Sequence, residues 1–353
     1  VYPAVTVLKA LQSKADPVLW VGAEGGMEAD LVQRASIPFA AIPAAGVHLS
    51  GRDLLRLPAN LLKLARGIFA ARKILKKFKP DALFFTGGYV AAPVAVAGAR
   101  VPTVVFVPDI EPGLALKFLV RYADCVAAVT PETRAYLPKN TRMVVTGYPV
   151  RPELTAWNRD RAFEFFNLDK NLPVLLVSGG SRGARPINNA VMKNIAALTA
   201  GAQVIHITGQ LGWPDVEAFR KTLPAAQADR YRAYPYLHEE TGAAFTIANL
   251  VVSRAGASAL GEYPVFGLPA VLVPYPYAWR YQKVNAQYLV DRNAAVLLRD
   301  EDVEEQMAGI VTGLLNDPKK LAAMSASMRA LAKPFAAADI GRLIEEVSRG
   351  GYS

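Results

Sequence analysis

"PVLLVSGGSRGARPINNAV", residues 173–191, decides how the chain is to be read. An apolar strand runs into a glycine turn, and the turn runs directly into a helix. That succession is the start of a βα unit, and a series of such units builds a parallel sheet covered by helices. Working outward, "QVIHITG" (203–209), "NLVVS" (249–253), "PAVLVPYP" (269–276) and "AAVLL" (294–298) supply further strands. Helical patterns at 301–315, 317–331 and 337–349 close the chain. Upstream the same rhythm recurs, with strands predicted in "PVLWVG" (17–22), "DALFFTGG" (81–88), "PTVVFV" (102–107) and "DCVAAV" (124–129). Helices are expected over 27–35, 53–78, 91–99 and 112–122.

Gly147, Pro149 and Pro152 interrupt the pattern within "VVTGYPVRPEL" (144–154), which reads as an interdomain junction. The expected organisation is α/β with two doubly wound domains. The first spans 1–149 and is completed by the terminal helix, 337–353; the second spans 150–336. The opening "VYPAVTVLKAL" reads as a helix already under way, so a strand and loop are expected to precede Val1.

The bulk composition narrows the classes. A chain of 353 residues, 52% hydrophobic, can bury two sizeable cores. No uncharged apolar run reaches the roughly 18 residues of a membrane span. The single cysteine, Cys125, excludes an intramolecular disulfide, fits a reducing compartment and falls in a strand as a buried residue. Three scattered histidines give no metal-ligand spacing. The net charge of +10 suits phosphorylated substrates, an anionic membrane or nucleic acid. No basic patch interleaved with aromatics supports the last of these.

Three stretches carry chemistry. In "GGSRG" (179–183), glycines let backbone N–H groups approach a phosphate, and the following helix offers its unpaired N-terminal donors. Ser181 adds a hydroxyl. The stretch is neither a Walker motif nor GxGxxG. "SRAGASALGE" (253–262) repeats the arrangement: Gly256, Ala257 and Ser258 form the turn and the start of a helix. Glu262, four residues past Ser258, shares its face and can accept two vicinal ribose hydroxyls. "PYPYAWRYQKVNA" (274–286) brings aromatics together with the amides Gln282 and Asn285, a set suited to the hydroxyl edges and apolar face of a sugar.

The order GGSRGAR, a Tyr-Leu pair, SRAGAS…GE and FGLPAVLVPYP…Q…NA resembles the MurG family, bacterial transferases that add N-acetylglucosamine to lipid I in peptidoglycan synthesis. "LWVGAEGGMEADLV", "KPDALFFTGGYVAAPV" and "VTGYPVRPEL" match its N-terminal half. The resemblance implies a GT-B fold, two Rossmann-like domains facing a cleft, and a metal-independent, inverting transfer from a UDP-sugar with no cofactor. It implies donor contacts from Arg151, Ser181, Leu237 (whose backbone reads the uracil), Ala257, Ser258, Ala259, Leu260, Gly261, Glu262 and Gln282. The acceptor it implies is a lipid diphosphate, undecaprenyl-diphosphoryl-N-acetylmuramyl-pentapeptide, at the cytoplasmic face of the cell membrane. Arg151 also has a chemical rationale: a permanent cation beside a diphosphate stabilises the departing UDP.

The chain departs from the family in three places. The family's N-terminal glycine loop, with its proposed base histidine, would precede Val1. The family's "HEQN" segment is replaced near "VPDIEPG" (107–113), where Asp109 and Glu111 are the nearest carboxylates for a general base. A family pair of glutamines has become Tyr281-Gln282. The basic segment 52–79 carries nine Lys/Arg and one acid, with Leu61, Leu64, Ile68, Ala71 and Leu75 at helical spacing. Such a helix can pack its stripe on the sheet or lie against an anionic leaflet, and the two are compatible if only its exposed apolar tip and cations meet lipid. Rival readings are a sister transferase with another acceptor, a UDP-sugar 2-epimerase and a non-catalytic subunit.

Overall fold

The computed structural model describes residues 1–350 apart from 12–16, 27, 45–56, 181 and 278–280. The chain divides into two compact units, Val1–Pro149 with Phe335–Ser353, and Val150–Pro334.

In the first unit, β1 (Trp20–Ala23) and β2 (Phe39–Ile42) pair in parallel. A four-stranded parallel sheet runs β3-β4-β5-β6, from β3 (Leu83–Phe85), β4 (Thr103–Val107), β5 (Cys125–Ala128) and β6 (Met143–Val145). Every residue of β4 and β5 is buried, as a sheet covered on both faces requires. Cys125 sits fully enclosed there. The helix Leu57–Phe78 packs on Ala91–Ala97 and β2. The late helix Ala336–Ser348 returns to this unit, packing on Tyr2–Leu11, β4 and β5 through Ile340, Leu343 and Val347.

The second unit holds one six-stranded sheet, all parallel, in the order β12-β11-β10-β7-β8-β9. Its strands are β7 (Val174–Ser178), β8 (Gln203–Ile207), β9 (Tyr231–Tyr234), β10 (Leu250–Ser253), β11 (Ala270–Leu272) and β12 (Ala295–Leu297). The first strand of this unit thus lies beside its fourth. That is the doubly wound Rossmann order, whose switch point falls between β7 and β10. Leu175, Val177, Val204, Val252 and Val271 pack with the helices Arg185–Gly201 and Val303–Leu315 in one core. Each such side chain, fully enclosed, contributes roughly 1.5–3 kcal/mol.

Three strands have no counterpart among those read from the sequence: β2, β6 and β9. The helix read from Gly256 onward is also divided. Ala257–Leu260 is a 3-10 turn, Gly261 breaks the geometry, and an α-helix restarts at Glu262–Phe266. The helix expected from 53 is described from Leu57, and 53–56 lie outside the described residues.

Candidate functional site

Ligands in a doubly wound sheet sit outside the carboxyl ends of the strands, at the switch point. Here those ends carry both glycine turns, one after β7 and one after β10.

After β7, Gly180 and Gly183 take positive φ, +83° and +82°. The Gly183 N–H donates to the Gly180 carbonyl (2.9 Å) and closes the turn. A Cβ at Gly183 would press into the Thr208 carbonyl oxygen, so glycine is required twice over, by space and by φ. With Gly183 engaged in its own turn, the anion-seeking donors are those that open the helix Arg185–Gly201. Its first internal bond is Asn188 N–H to Ala184 O (2.9 Å), which leaves the preceding amides without an acceptor inside the helix. Ser181 lies outside the described residues.

The same corner is anchored from below by a buried polar chain. Asn188 Nδ2 donates to the Thr208 carbonyl (3.0 Å), so its Oδ1 is the acceptor facing His206 Nε2 (3.0 Å). His206 must then carry its proton on Nε2 and accept from the Tyr231 hydroxyl at Nδ1 (2.8 Å). The imidazole is fully enclosed, and burial pushes its pKa down to about 3. Burial also pushes the Tyr231 phenol up. Neutral His206 thereby clamps β8, β9 and the helix under the first turn.

After β10, the amides of Ala257 and Ser258 open the 3-10 turn, ahead of its first bond from Ala259 N–H to Gly256 O (3.0 Å). The Ser258 side chain hydrogen-bonds the Glu262 carboxyl. Burial pushes that carboxyl above the usual carboxylate range, while the charge of Arg151 and the Ser258 bond pull it back. Glu262 is half-buried rather than a solvated helix residue, and it lies within the field of Arg151. Ala259 and Leu260 are buried supports, and Gly261 supplies the break that turns Glu262 back toward Ser258. Beneath them, the Tyr263 hydroxyl donates to Ser253 Oγ (2.7 Å), which donates to the Arg254 carbonyl (3.0 Å).

Arg254 is a residue that sequence reasoning passed over. Its guanidinium bonds Asp300 Oδ1 (2.5 Å) and the Val273 carbonyl (3.1 Å), and it lies 5.3 Å from the Tyr275 ring centroid. It ties the turn after β10 to the segments after β11 and β12. Gln282 works on the same segment: its Oε1 accepts the Tyr275 N–H (2.9 Å). Asn285 Nδ2 donates to the Ala255 carbonyl (3.2 Å). Leu237, just beyond β9, is buried, and its carbonyl accepts from Thr241 Oγ1 (3.0 Å). Arg151, Leu237, Ala257–Glu262 and Gln282 therefore all belong to the second unit.

Asp109 and Glu111 follow β4 in the first unit. Glu111 is only 3% exposed and pairs with Lys117 at 3.4 Å. Among the described residues, no three His, Cys, Asp or Glu side chains gather as a metal would require. The depression beside Glu217, Arg220 and Tyr231 lies at the amino end of β9, away from both turns.

Two Rossmann-like α/β units, one presenting paired turns at a switch point, give the chain the GT-B architecture, and the relatives that share its sequence are glycosyltransferases. The family model for the glycosyltransferase family 28 N-terminal domain matches residues 1–128, and that for the C-terminal domain matches 174–340. A UDP-N-acetylglucosamine–N-acetylmuramyl-(pentapeptide) pyrophosphoryl-undecaprenol N-acetylglucosamine transferase of Roseiflexus sp. is 41% identical, over 93% of this chain and 83% of the relative. One from Desulforudis audaxviator is 37% identical, over 99% and 96%. The crystal structure of Acinetobacter baumannii MurG superposes with a TM-score of 0.76 at 26% identity, over 98% of this chain and 95% of that one. The chain belongs to this family of N-acetylglucosamine transferases. A putative UDP-N-acetylglucosamine 2-epimerase from Listeria monocytogenes, 12% identical with a TM-score of 0.71, shares the fold alone.

Proposed function

We propose that the chain transfers N-acetylglucosamine from UDP-N-acetylglucosamine to undecaprenyl-diphosphoryl-N-acetylmuramyl-pentapeptide, with inversion at the anomeric carbon. The observation that carries this reading is that both turns lie at the switch point of the second unit, with Glu262 hydrogen-bonded by Ser258 and within the field of Arg151. The diphosphate lies against the amides that open the helix Arg185–Gly201 and the turn Ala257–Leu260. The ribose hydroxyls donate to Glu262, and the uracil meets the backbone at Leu237. As the acceptor hydroxyl attacks, negative charge grows on the departing UDP. Preorganised amides and Arg151 stabilise that charge more than they stabilise the bound donor.

The acceptor is a lipid, and the basic helix suits its location. Leu64, Ile68, Ala71 and Leu75 form the covered side of Leu57–Phe78, whereas Leu62 (59%) and Phe69 (70%) stand exposed among Lys63, Arg66, Arg72 and Lys73. Residues 52–56 and the side chain of Leu61 lie outside the described residues. The exposed side is proposed to rest on an anionic leaflet, each cation adding about 1 kcal/mol. Among the described residues no helix is long and apolar enough to cross a membrane.

The test is release of UDP from UDP-N-acetylglucosamine with lipid I, against a glycolipid and against no acceptor. Turnover with lipid I alone supports the reading. Silence with lipid I and turnover with the glycolipid gives the sister reading, which the replaced "HEQN" segment near Asp109 and Glu111 favours. Formation of the C2 epimer without acceptor overturns both.

A further inference from the structure

Pro186, the second residue of the helix Arg185–Gly201, has no N–H. Of the first three helix residues, only Arg185 and Ile187 therefore carry an amide to offer a phosphate. Two donors serve an anion only where they are held in place, because such bonds weaken steeply with misalignment. The contacts around the next residue, Asn188, hold them.

Asn188 is 3% exposed and reaches out of the helix in two directions. Its Nδ2 ties the helix start to the Thr208 carbonyl, and its Oδ1 accepts from His206 Nε2. The loop after β8 lies directly on this corner. A Cβ at Gly209 would stand 2.1 Å from the Gly183 nitrogen, and one at Gly212 would stand 2.1 Å from Asn188 Nδ2. The glycine turn, the helix start and the end of β8 thus meet with no room for a side chain between them. Tyr231, on β9, closes the far end by donating to His206 Nδ1. Apolar packing alone would hold these strands and the helix together, but without direction. The polar chain adds direction. The Tyr231 proton leaves Nδ1 as an acceptor and Nε2 as a donor, and that donor fixes the Asn188 amide in one orientation.

We infer that His206 is a positioning residue for the diphosphate of the sugar nucleotide: oriented by Tyr231, it holds Asn188, and Asn188 holds the Arg185 and Ile187 amides where the phosphates bind. The inference rests on the donor reading above. His206 acts through Asn188 and touches no substrate. Its effect must therefore fall on the phosphates and not on uridine. It must fall most heavily on turnover, when charge grows on the departing UDP.

The experiment takes the full chain as wild type, His206→Leu, His206→Gln and Tyr231→Phe. Calorimetry gives Kd for UDP, and competition with UDP gives Kd for uridine, which lacks both phosphates. UDP release with lipid I gives kcat and KM. His206→Leu removes both bonds of the ring. The expected result is UDP weakened roughly tenfold, the size of one hydrogen bond to a charged group, with uridine unchanged and kcat lowered more than KM is raised. His206→Gln places an amide N–H where Nε2–H stands and should restore the wild-type ratio of the two affinities. Where His206→Leu does not fold, Tyr231→Phe carries the test with the loss of one hydroxyl, and the ratio should fall about threefold. Variants that lose stability yet keep the UDP-to-uridine ratio and kcat overturn the positioning role, as does equal weakening of both ligands. A wild-type chain that binds neither UDP nor uridine overturns the donor reading itself.

Discussion

Acidifying the protein from pH 7 to pH 5 tests the polar chain beneath the first glycine turn. In the fold, His206 resists protonation until about pH 3, because burial disfavours the charged form of its ring, which accepts from Tyr231 and donates to Asn188. In the unfolded chain an imidazole takes up its proton near pH 6.5. The unfolded state therefore binds more protons between these values, and stability must fall as pH falls. The contribution is fully present above about pH 6.5, erodes below it and is exhausted near pH 3. Between pH 7 and pH 5 the loss amounts to about 2 kcal/mol for this one group. Urea denaturation at half-unit pH steps reads it out, followed by circular dichroism of the whole chain. The control is His206→Gln, which lacks the titration but keeps every other ionisable group. The two stability curves should converge by about 2 kcal/mol between pH 7 and pH 5. Curves that stay parallel across that range would refute the neutral, enclosed histidine.

Gly183→Ala meets both a positive φ and the Thr208 carbonyl, and should cost roughly 2 kcal/mol or more in thermal or urea unfolding; a change within 0.5 kcal/mol would mean the turn is held otherwise. Glu262→Ala should weaken UDP by roughly 1.5–3 kcal/mol in calorimetry, and an unchanged affinity would remove Glu262 from the ribose. Since burial raises the Glu262 pKa, UDP affinity in the wild type should fall as pH drops through that raised value, and Glu262→Gln should flatten the profile. Arg254→Ala should destabilise by about 3 kcal/mol, because it strands Asp300 in a site where the pair is only 10% and 17% exposed; the double variant Arg254→Met, Asp300→Leu should recover much of that loss.

The periodic parts of the fold were legible in the sequence because burial on both faces writes unbroken apolar runs, as in Val174–Val177 and Leu250–Val252. The missed strands lack such runs. β9 reads Tyr-Arg-Ala-Tyr, with alternate residues half-exposed at the sheet's edge. β2 is Phe-Ala-Ala-Ile, too short and small to stand out from its loops, and β6 runs into the proline-rich junction. At the site, the two glycine turns could be read because their residue types are tied to backbone geometry. What could not be read was long-range pairing. Asn188, His206 and Tyr231 are far apart in sequence, as are Arg254 and Asp300, and no local pattern joins them. The division at Gly261 escaped because "ASALGE" has ordinary helix composition, while the backbone there is set by the contact between Ser258 and Glu262.

The return of the helix Ala336–Ser348 to the first unit bears on how the chain is born. Ribosomes deliver residues in order, so β4 and β5 emerge long before the segment that covers them. About 185 residues, Val150–Pro334, intervene. At roughly 5–20 residues per second, that is about 10–40 seconds of synthesis. Throughout that interval the nascent first sheet lacks the cover of Ile340, Leu343 and Val347, while the later unit has its last strand, β12, made before that cover is. The half of the protein made first is thus the half finished last, and it is the half a ribosome-bound chaperone has reason to hold.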